Sequence, residues 1–427
     1  MVDDQIAVSK CGLDTTLAMS HLNAYTNVKK LQFGAEKCHK MHVGKNDILC
    51  TENKIDTWSK KTEKEMVTSV FDFIGVEGDY HSISTVQSDS YLGDVLQKDG
   101  KNNLNIKERV DRGNAAINRI CNLLNDLFLG EYYFEAAIVL RNSLLLSTLI
   151  SNSESWYNLS KKDVKDLEAI DEKFIRKMLF AHSKTPVELL YLETGLIPIQ
   201  FILMSRRLNF LWYILQQDTN SLLSMFFKAQ LENPIKGDWI LTVLNDLKEL
   251  KIEMTFDDIQ KTSKNRFKKI IKENIKVSAL HHLQNLQKLH SKSQNLSYHD
   301  LQLQDYLKPG HNMTIKEKCF TFAARTRMLD VYCNFKQGKT NLLCRKCQNL
   351  DETQEHLLIC SALCDNSLVK STPIYQDLFS NNKAKVATIG RILTAKFEQL
   401  KLDVINNMTT CTVKSGAATD MLFVDLE

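Results

Sequence analysis

One stretch, "CRKCQNLDETQEHLLIC" at 344–360, limits what this chain can fold into more than any other. It sets Cys344, Cys347, His356 and Cys360 in Cys-x2-Cys-x8-His-x3-Cys spacing. Two thiols with two residues between them can face one ion from a tight turn. His356 and Cys360, four apart, share one side of a helix. Three thiolates and an imidazole complete the closed tetrahedral shell of a structural zinc, with no position left for a catalytic water. The spacing predicts one Zn2+ per chain, and metal binding would supply the folding energy of a segment too small for much core. Cys364 competes with Cys360 for the fourth place, and Cys333 more weakly. The alternative is a set of scattered buried thiols, with Leu357, Leu358 and Ile359 as ordinary core. The chain has 11 cysteines and starts without a secretory pattern. They read as reduced thiols or metal ligands, in an intracellular protein of the nucleus or cytoplasm that is not secreted.

Only 5 prolines and 15 glycines interrupt 427 residues, so long helices are expected and the predicted fold class is mainly α. A small α+β unit is predicted for residues 1–100. There "QIAVS", "KCHKMHVGK" and "SDSYLGDVL" read as short strands punctuated by Gly44 and Gly93, and Leu13, Leu17 and Leu22 stand near helical spacing. From about residue 101 the period is helical. Val164, Leu167, Ile170, Phe174, Met178 and Leu179 form one apolar stripe that begins at a Ser160–Asp163 capping box. "TPVELLYLETGLIPIQFILMSRRLNFLWYIL" gives two apolar helices divided by a turn at Gly195 to Pro198. The polar run at 289–300 reads as a linker, Thr314 and Glu317 as a second capping box, and "KAKVATIGRILTAKFEQLKLD" as a last helix. The most apolar stretches are broken by Arg141 and Pro198 and fall short of a membrane span, so no membrane partner is expected.

Net charge is only +4, so a basic surface has to come from clustering. "KTSKNRFKKIIKENIK" at 261–276 holds seven basic residues and one acid, Glu273. Phe267, Ile270, Ile271 and Ile275 line one face, while Lys264, Lys268, Lys272 and Lys276 recur on another. This is a ladder of ammonium groups suited to phosphates, or else a solvated face. Arg206-Arg207 and Arg325-x-Arg327 sit in apolar helices, where they need acidic partners or phosphate. No nucleophile triad and no phosphate-binding glycine loop is visible.

The order of these pieces resembles the C-terminal portion of reverse transcriptases from non-long-terminal-repeat (LINE-type) retrotransposons. The residues that carry the likeness are "VDDQIAVS", "LQFGAEKCHKMHVGK", "YLGDVLQKDGKNN", the "TPVELLYLETGLIPI" helices and the terminal cysteine–histidine segment, spanning nearly the whole chain. The resemblance implies that Asp3-Asp4 match the end of the aromatic-x-Asp-Asp box that ligates catalytic Mg2+, with Met1 in the aromatic position. It makes Lys37 the lysine that protonates departing pyrophosphate, and Tyr91-Leu92-Gly93 the primer-gripping turn. It divides the chain into a partial palm (1–100), a helical thumb (101–240), a basic helical linker (241–310) and a zinc-knuckle region (311–427) that helps to bind template. Polymerisation needs two Mg2+ held by carboxylates from two strands, and the family's other aspartate lies upstream of that box. The implied protein is a truncated reverse transcriptase, inactive alone, that binds RNA and DNA by nonspecific phosphate contacts. Two alternatives stand beside it: an active RNA-directed DNA polymerase once another polypeptide supplies fingers and palm, and a zinc-stabilised helical scaffold for protein partners.

Overall fold

Helices carry most of the structure, a computed structural model. It describes residues 84–410, apart from 127–128, 291–295, 311, 336–340, 364–374 and 381, together with 21–22, 25, 28, 39–41, 73–74 and 80–81. The helices are α1 (Asn103–Asp126), α2 (Tyr133–Leu140), α3 (Leu146–Leu149), α4 (Lys161–Met178), α5 (Val187–Thr194), α6 (Ile199–Leu215), α7 (Leu222–Glu232), α8 (Trp239–Glu249), α9 (Phe256–Lys261), α10 (Lys264–Gln287), α11 (Ile315–Arg325), α12 (Gln354–Ile359) and α13 (Lys383–Thr410). One π-helical turn, Arg141–Leu145, joins α2 to α3. The mainly α expectation holds. Both capping boxes form: Ser160 Oγ accepts from the Asp163 N–H at 3.1 Å, and Thr314 Oγ1 accepts from the Glu317 N–H at 3.2 Å.

The chain divides into two compact units. The first comprises residues 1–115, 148–167 and 216–245. Its strands pair two by two: β1 (His39–Lys40) runs parallel to β4 (Ser84–Thr85), and β2 (Phe73–Ile74) antiparallel to β3 (Tyr80–His81). The segment "SDSYLGDVL" becomes a hairpin of β5 (Ser88–Tyr91) and β6 (Asp94–Gln97), with Tyr91 opposite Asp94. Its two loop residues, Leu92 and Gly93, have φ of 48° and 86°. Positive φ at both positions is what lets a two-residue loop follow the strand twist. Asp94 fixes the base of this turn, accepting from Arg109 Nη2 at 2.7 Å, Asn105 Nδ2 at 3.0 Å and Asn152 Nδ2 at 2.8 Å. "QIAVS" lies outside the described residues, while residues 21, 22 and 25 of the predicted early helix are helical.

The second unit comprises residues 116–147, 168–215 and 246–427. At its centre lies α5, buried from Glu188 to Thr194 on every side, which explains an apolar pattern with no polar face. Gly195 ends α5 in the left-handed conformation at φ 67°, and a Cβ there would come within 2.1 Å of the Gln302 carbonyl carbon. Glycine alone meets both demands. α6 then leaves at 60° to α5, so the predicted helix–turn–helix stands. The pair carries two buried charge networks. Arg141 grips Asp171 with Nε and Nη2, both at 2.6 Å, while the Tyr191 hydroxyl donates to the same carboxylate at 3.1 Å. Glu193 accepts from the Tyr298 hydroxyl at 2.6 Å, the Tyr306 hydroxyl at 2.7 Å and Arg325 Nε at 3.0 Å.

That second network corrects the expected linker. Leu296, Tyr298 and Leu301 are buried. Gln287 and Gln284 side chains donate to the carbonyls of Leu296 and Tyr298 at 2.8 and 2.7 Å. A polar average over 289–300 concealed apolar residues placed to turn inward. Farther on, α11 packs on α13, where Gly390 lets the helices close: a Cβ would fall 2.0 Å from Thr321 Oγ1. Among the described residues no single helix is long and apolar enough to cross a membrane. The bent α5–α6 pair meets that length and composition, yet it buries Glu188, Glu193 and Arg207 inside the unit.

Candidate metal centre and basic helix

The cysteine–histidine segment folds as a short hairpin followed by one helical turn and a half. Leu343 bridges Asp351, and the Cys344 N–H donates to the Leu350 carbonyl at 2.7 Å. The turn between them closes through Gln348, left-handed at φ 57°, whose N–H reaches the Cys344 carbonyl. Such a turn aims backbone N–H groups at the sulfurs: that of Lys346 lies 3.4 Å from Cys344 Sγ. Thr353 caps α12 by accepting from the His356 N–H at 3.0 Å, and Cys360 ends it. His356 and Cys360 thereby share a side, as their spacing predicts.

Cys344, Cys347, His356 and Cys360 converge with all ligand atoms within 4.8 Å of one another. A tetrahedron built on Zn–S bonds of about 2.3 Å has edges of about 3.8 Å, so small shifts close the shell. His356 turns Nε2 toward Cys347 Sγ at 3.2 Å, and its Nδ1 is buried without a hydrogen-bond partner. Burial pushes the Cys344 thiol up to about 11. The N–H of Asn349, followed by that of Leu350 and by His356, brings Cys347 down to about 6. The donor set fits a divalent soft-to-borderline ion held by three sulfurs and one imidazole, and could hold structural zinc. Cys333 stands apart from the quartet, its N–H donating to the Glu352 carbonyl. Cys364 lies outside the described residues.

Two supports of this centre escaped the sequence reading. Glu352, fully buried, takes Arg345 Nε at 2.8 Å and Nη2 at 2.6 Å, plus the N–H groups of Arg345 and Tyr332. The carboxylate therefore welds the hairpin to the preceding loop. Its sequence signal, an acid seven residues after an arginine, is too common to notice. The second is the apolar bed. Cys344, Leu357, Leu358, Cys360 and Leu363 belong to one core with Phe320, Leu378, Ile389, Leu393 and Phe397. The segment has little core of its own, as expected, but α11 and α13 supply one, so its folding energy need not come from metal binding. Ile359 faces out.

The basic run begins α10, which packs on α5 and α6 through Phe267, Ile271, Ile275, Ala279 and Leu283. Lys264, Lys268 and Lys272 are exposed, and Lys276 is half-buried. The one acid, Glu273, pairs loosely with Lys269 at 3.9 Å. The helix arginines mostly find acids within the fold: Arg207 pairs with Asp246 at 2.6 Å, Arg325 with Glu193, and Arg327 with Glu355. A cleft of about 400 Å3 is lined by Cys121, Tyr133, Phe174, Arg176, Lys177 and neighbours, with no histidine or carboxylate to serve acid–base chemistry. Tyr91, Leu92 and Gly93 form the hairpin tip. Asp3, Asp4 and Lys37 lie outside the described residues.

No family profile, curated protein or solved structure matches the chain.

Proposed function

We propose that this chain binds nucleic acid through α10, with the region around its cysteine–histidine quartet stabilised by zinc, in the manner of the thumb, linker and knuckle of a LINE-type reverse transcriptase. The observation that supports it is the split of α10 into a buried apolar side and an exposed row of Lys264, Lys268 and Lys272. Ammonium groups held on a rigid helix replace the counterions of a phosphate backbone, and releasing those ions drives binding. With three or four such contacts, log Kd should change with log salt at a slope of about 3 to 4. The test is a titration of structured RNA between roughly 50 and 200 mM salt. Replacing Lys268 and Lys272 by alanine should lower the slope by about 2. Absence of binding at the lowest salt overturns the proposal.

Under the same resemblance Asp3 and Asp4 are one part of a two-magnesium site, Lys37 the proton donor and Tyr91-Leu92-Gly93 the primer grip. Joining nucleotides requires carboxylates from a second strand as well. Primer extension with Mg2+, run with and without an added fingers-and-palm polypeptide, tests those roles, and extension in neither arm refutes them. A second reading, a scaffold for protein partners, is favoured by α7. There Leu222, Met225, Phe226 and Ala229 recur at i, i+3, i+4 and i+7, all exposed. It predicts that charge reversal at Lys268 and Lys272 leaves the partners bound.

A further inference from the structure

We propose that the basic face of α10 takes single-stranded nucleic acid, with unpaired bases stacking on aromatic side chains of α6. This rests on the nucleic-acid reading above and names the form of strand that it accepts.

The end of α6 carries three rings, Phe210, Trp212 and Tyr213, and Trp212 sits against the start of α10. Trp212 donates from Nε1 to the Thr262 carbonyl at 2.9 Å, which ties its indole to the turn that opens α10. Lys264 Nζ, the first rung of the ladder, lies 5.7 Å from the centre of that indole. Tyr213, next in sequence, is 48% exposed. Its ring lies nearly parallel to Phe210, at 13° and 6.0 Å between centroids. Lys264 and the Trp212 indole thus meet where α6 ends and α10 begins, with the exposed Tyr213 next to that indole in sequence. The buried side of α6 runs through Arg207, Leu208, Leu211 and Ile214, and Tyr213 lies outside it.

A duplex presents phosphates and keeps its base faces stacked on one another, so it would use the lysines and leave the rings idle. A single strand offers both. Its flexible backbone can follow Lys264, Lys268 and Lys272, spaced about 6 Å along the helix, while a splayed base covers Tyr213. Stacking of a base on an aromatic side chain is tolerant of sequence, so the site would discriminate strandedness rather than base identity. Each lost stack weakens binding by roughly five- to a hundredfold.

The experiment compares a fluorescein-labelled single-stranded RNA of about a dozen nucleotides, the length that one or two such surfaces cover, with a blunt RNA duplex of equal length. The full chain, purified with its metal, is used at matched salt. The single strand should bind about tenfold more tightly. Tyr213→Ala should weaken the single strand by at least about fivefold and leave the duplex unchanged, whereas Tyr213→Phe, which keeps the ring, should restore wild-type affinity. Lys268→Ala with Lys272→Ala should weaken both. Circular dichroism of each variant checks that the exposed substitutions leave the fold intact. Equal binding of both RNAs, with Tyr213→Ala neutral, overturns this inference and leaves the nucleic-acid reading standing. If neither RNA binds at low salt, both fall together.

Discussion

Glu193 and the cysteine–histidine quartet each draw side chains together within the second unit, by opposite means. Glu193 gathers Tyr298, Tyr306 and Arg325, partners 105 to 132 positions away in sequence, around one buried carboxylate. The quartet gathers four side chains from a single short run, and its chemistry calls for an ion. A charge network is closed by the chain itself and tolerates no missing member, since a buried charge left alone is costly. A metal knuckle resting on a borrowed core can open locally while that core persists.

Glu193→Ala is therefore the most damaging change. It strands Arg325 in the interior and leaves two tyrosine hydroxyls without their acceptor. Stability should fall by about 3–5 kcal/mol, read from the denaturant midpoint. A loss below about 1 kcal/mol, typical of an average substitution, would show that water replaces the carboxylate and that the network is not a hub.

Metal removal comes next. Chelation should release one ion per chain and expose Cys347 and Cys360 to alkylation. The midpoint should shift less than in Glu193→Ala, and the helical circular dichroism should largely remain, because Leu357, Leu358 and Leu363 keep their places against Phe320, Ile389 and Leu393. Global unfolding on chelation would instead make the quartet the stronger of the two ties. Cys360→Ser should reproduce the chelated state.

The same contrast explains what could be read beforehand. The quartet was legible because side chains able to converge on one ion obey spacing rules that operate within one turn and one helix. The capping boxes of α4 and α11 and the Gly195 break were legible for the same reason: each is settled by residues three or four apart. Glu193 stood in view, in "YLETG", but nothing in its neighbourhood names Tyr298 or Arg325. The arginines at 207, 325 and 327 called for acids or phosphate, and only the fold says that acids answer. The run at 289–300 misled because its polar residues outnumber Leu296 and Tyr298, and burial depends on where the chain is carried rather than on average composition. Glu352 escaped notice because a single carboxylate carries no pattern.

A smaller effect separates paired from unpaired burial. Glu168 is half-buried, with the Gln200 N–H at 3.4 Å and with Glu172 and Asp171 as acidic neighbours. Burial, ahead of those neighbours, pushes its carboxyl up to about 7 from an ordinary 4.5. A raised folded-state value means that the folded chain holds its proton more tightly than the unfolded one. The stabilisation is complete below about pH 4.5 and is lost as the pH rises through about 7. Between those limits wild-type stability should decline by about 3 kcal/mol, and Glu168→Gln should flatten the curve and be the more stable form at pH 8. An unchanged slope would mean that Glu168 ionises freely.

The smallest effect sharpens the comparison from the outside. Lys269 and Glu273 form an ion pair one helical turn apart on α10, at 3.9 Å, with side chains 76% and 63% exposed. The charges are of the same kinds as those at Glu193 and Arg325, but water already solvates both, and two flexible side chains lose freedom to meet. Such a pair contributes at most about 0.5 kcal/mol. Lys269→Ala should accordingly leave the denaturant midpoint within error of wild type, in low and high salt alike. Glu273→Ala should do the same for stability while removing the only acid on the basic run, so RNA affinity should rise slightly. If either variant lost stability on the scale of Glu193→Ala, burial would not be what separates the two regions, and α10 would be held by its surface charge rather than by Phe267, Ile271 and Ile275.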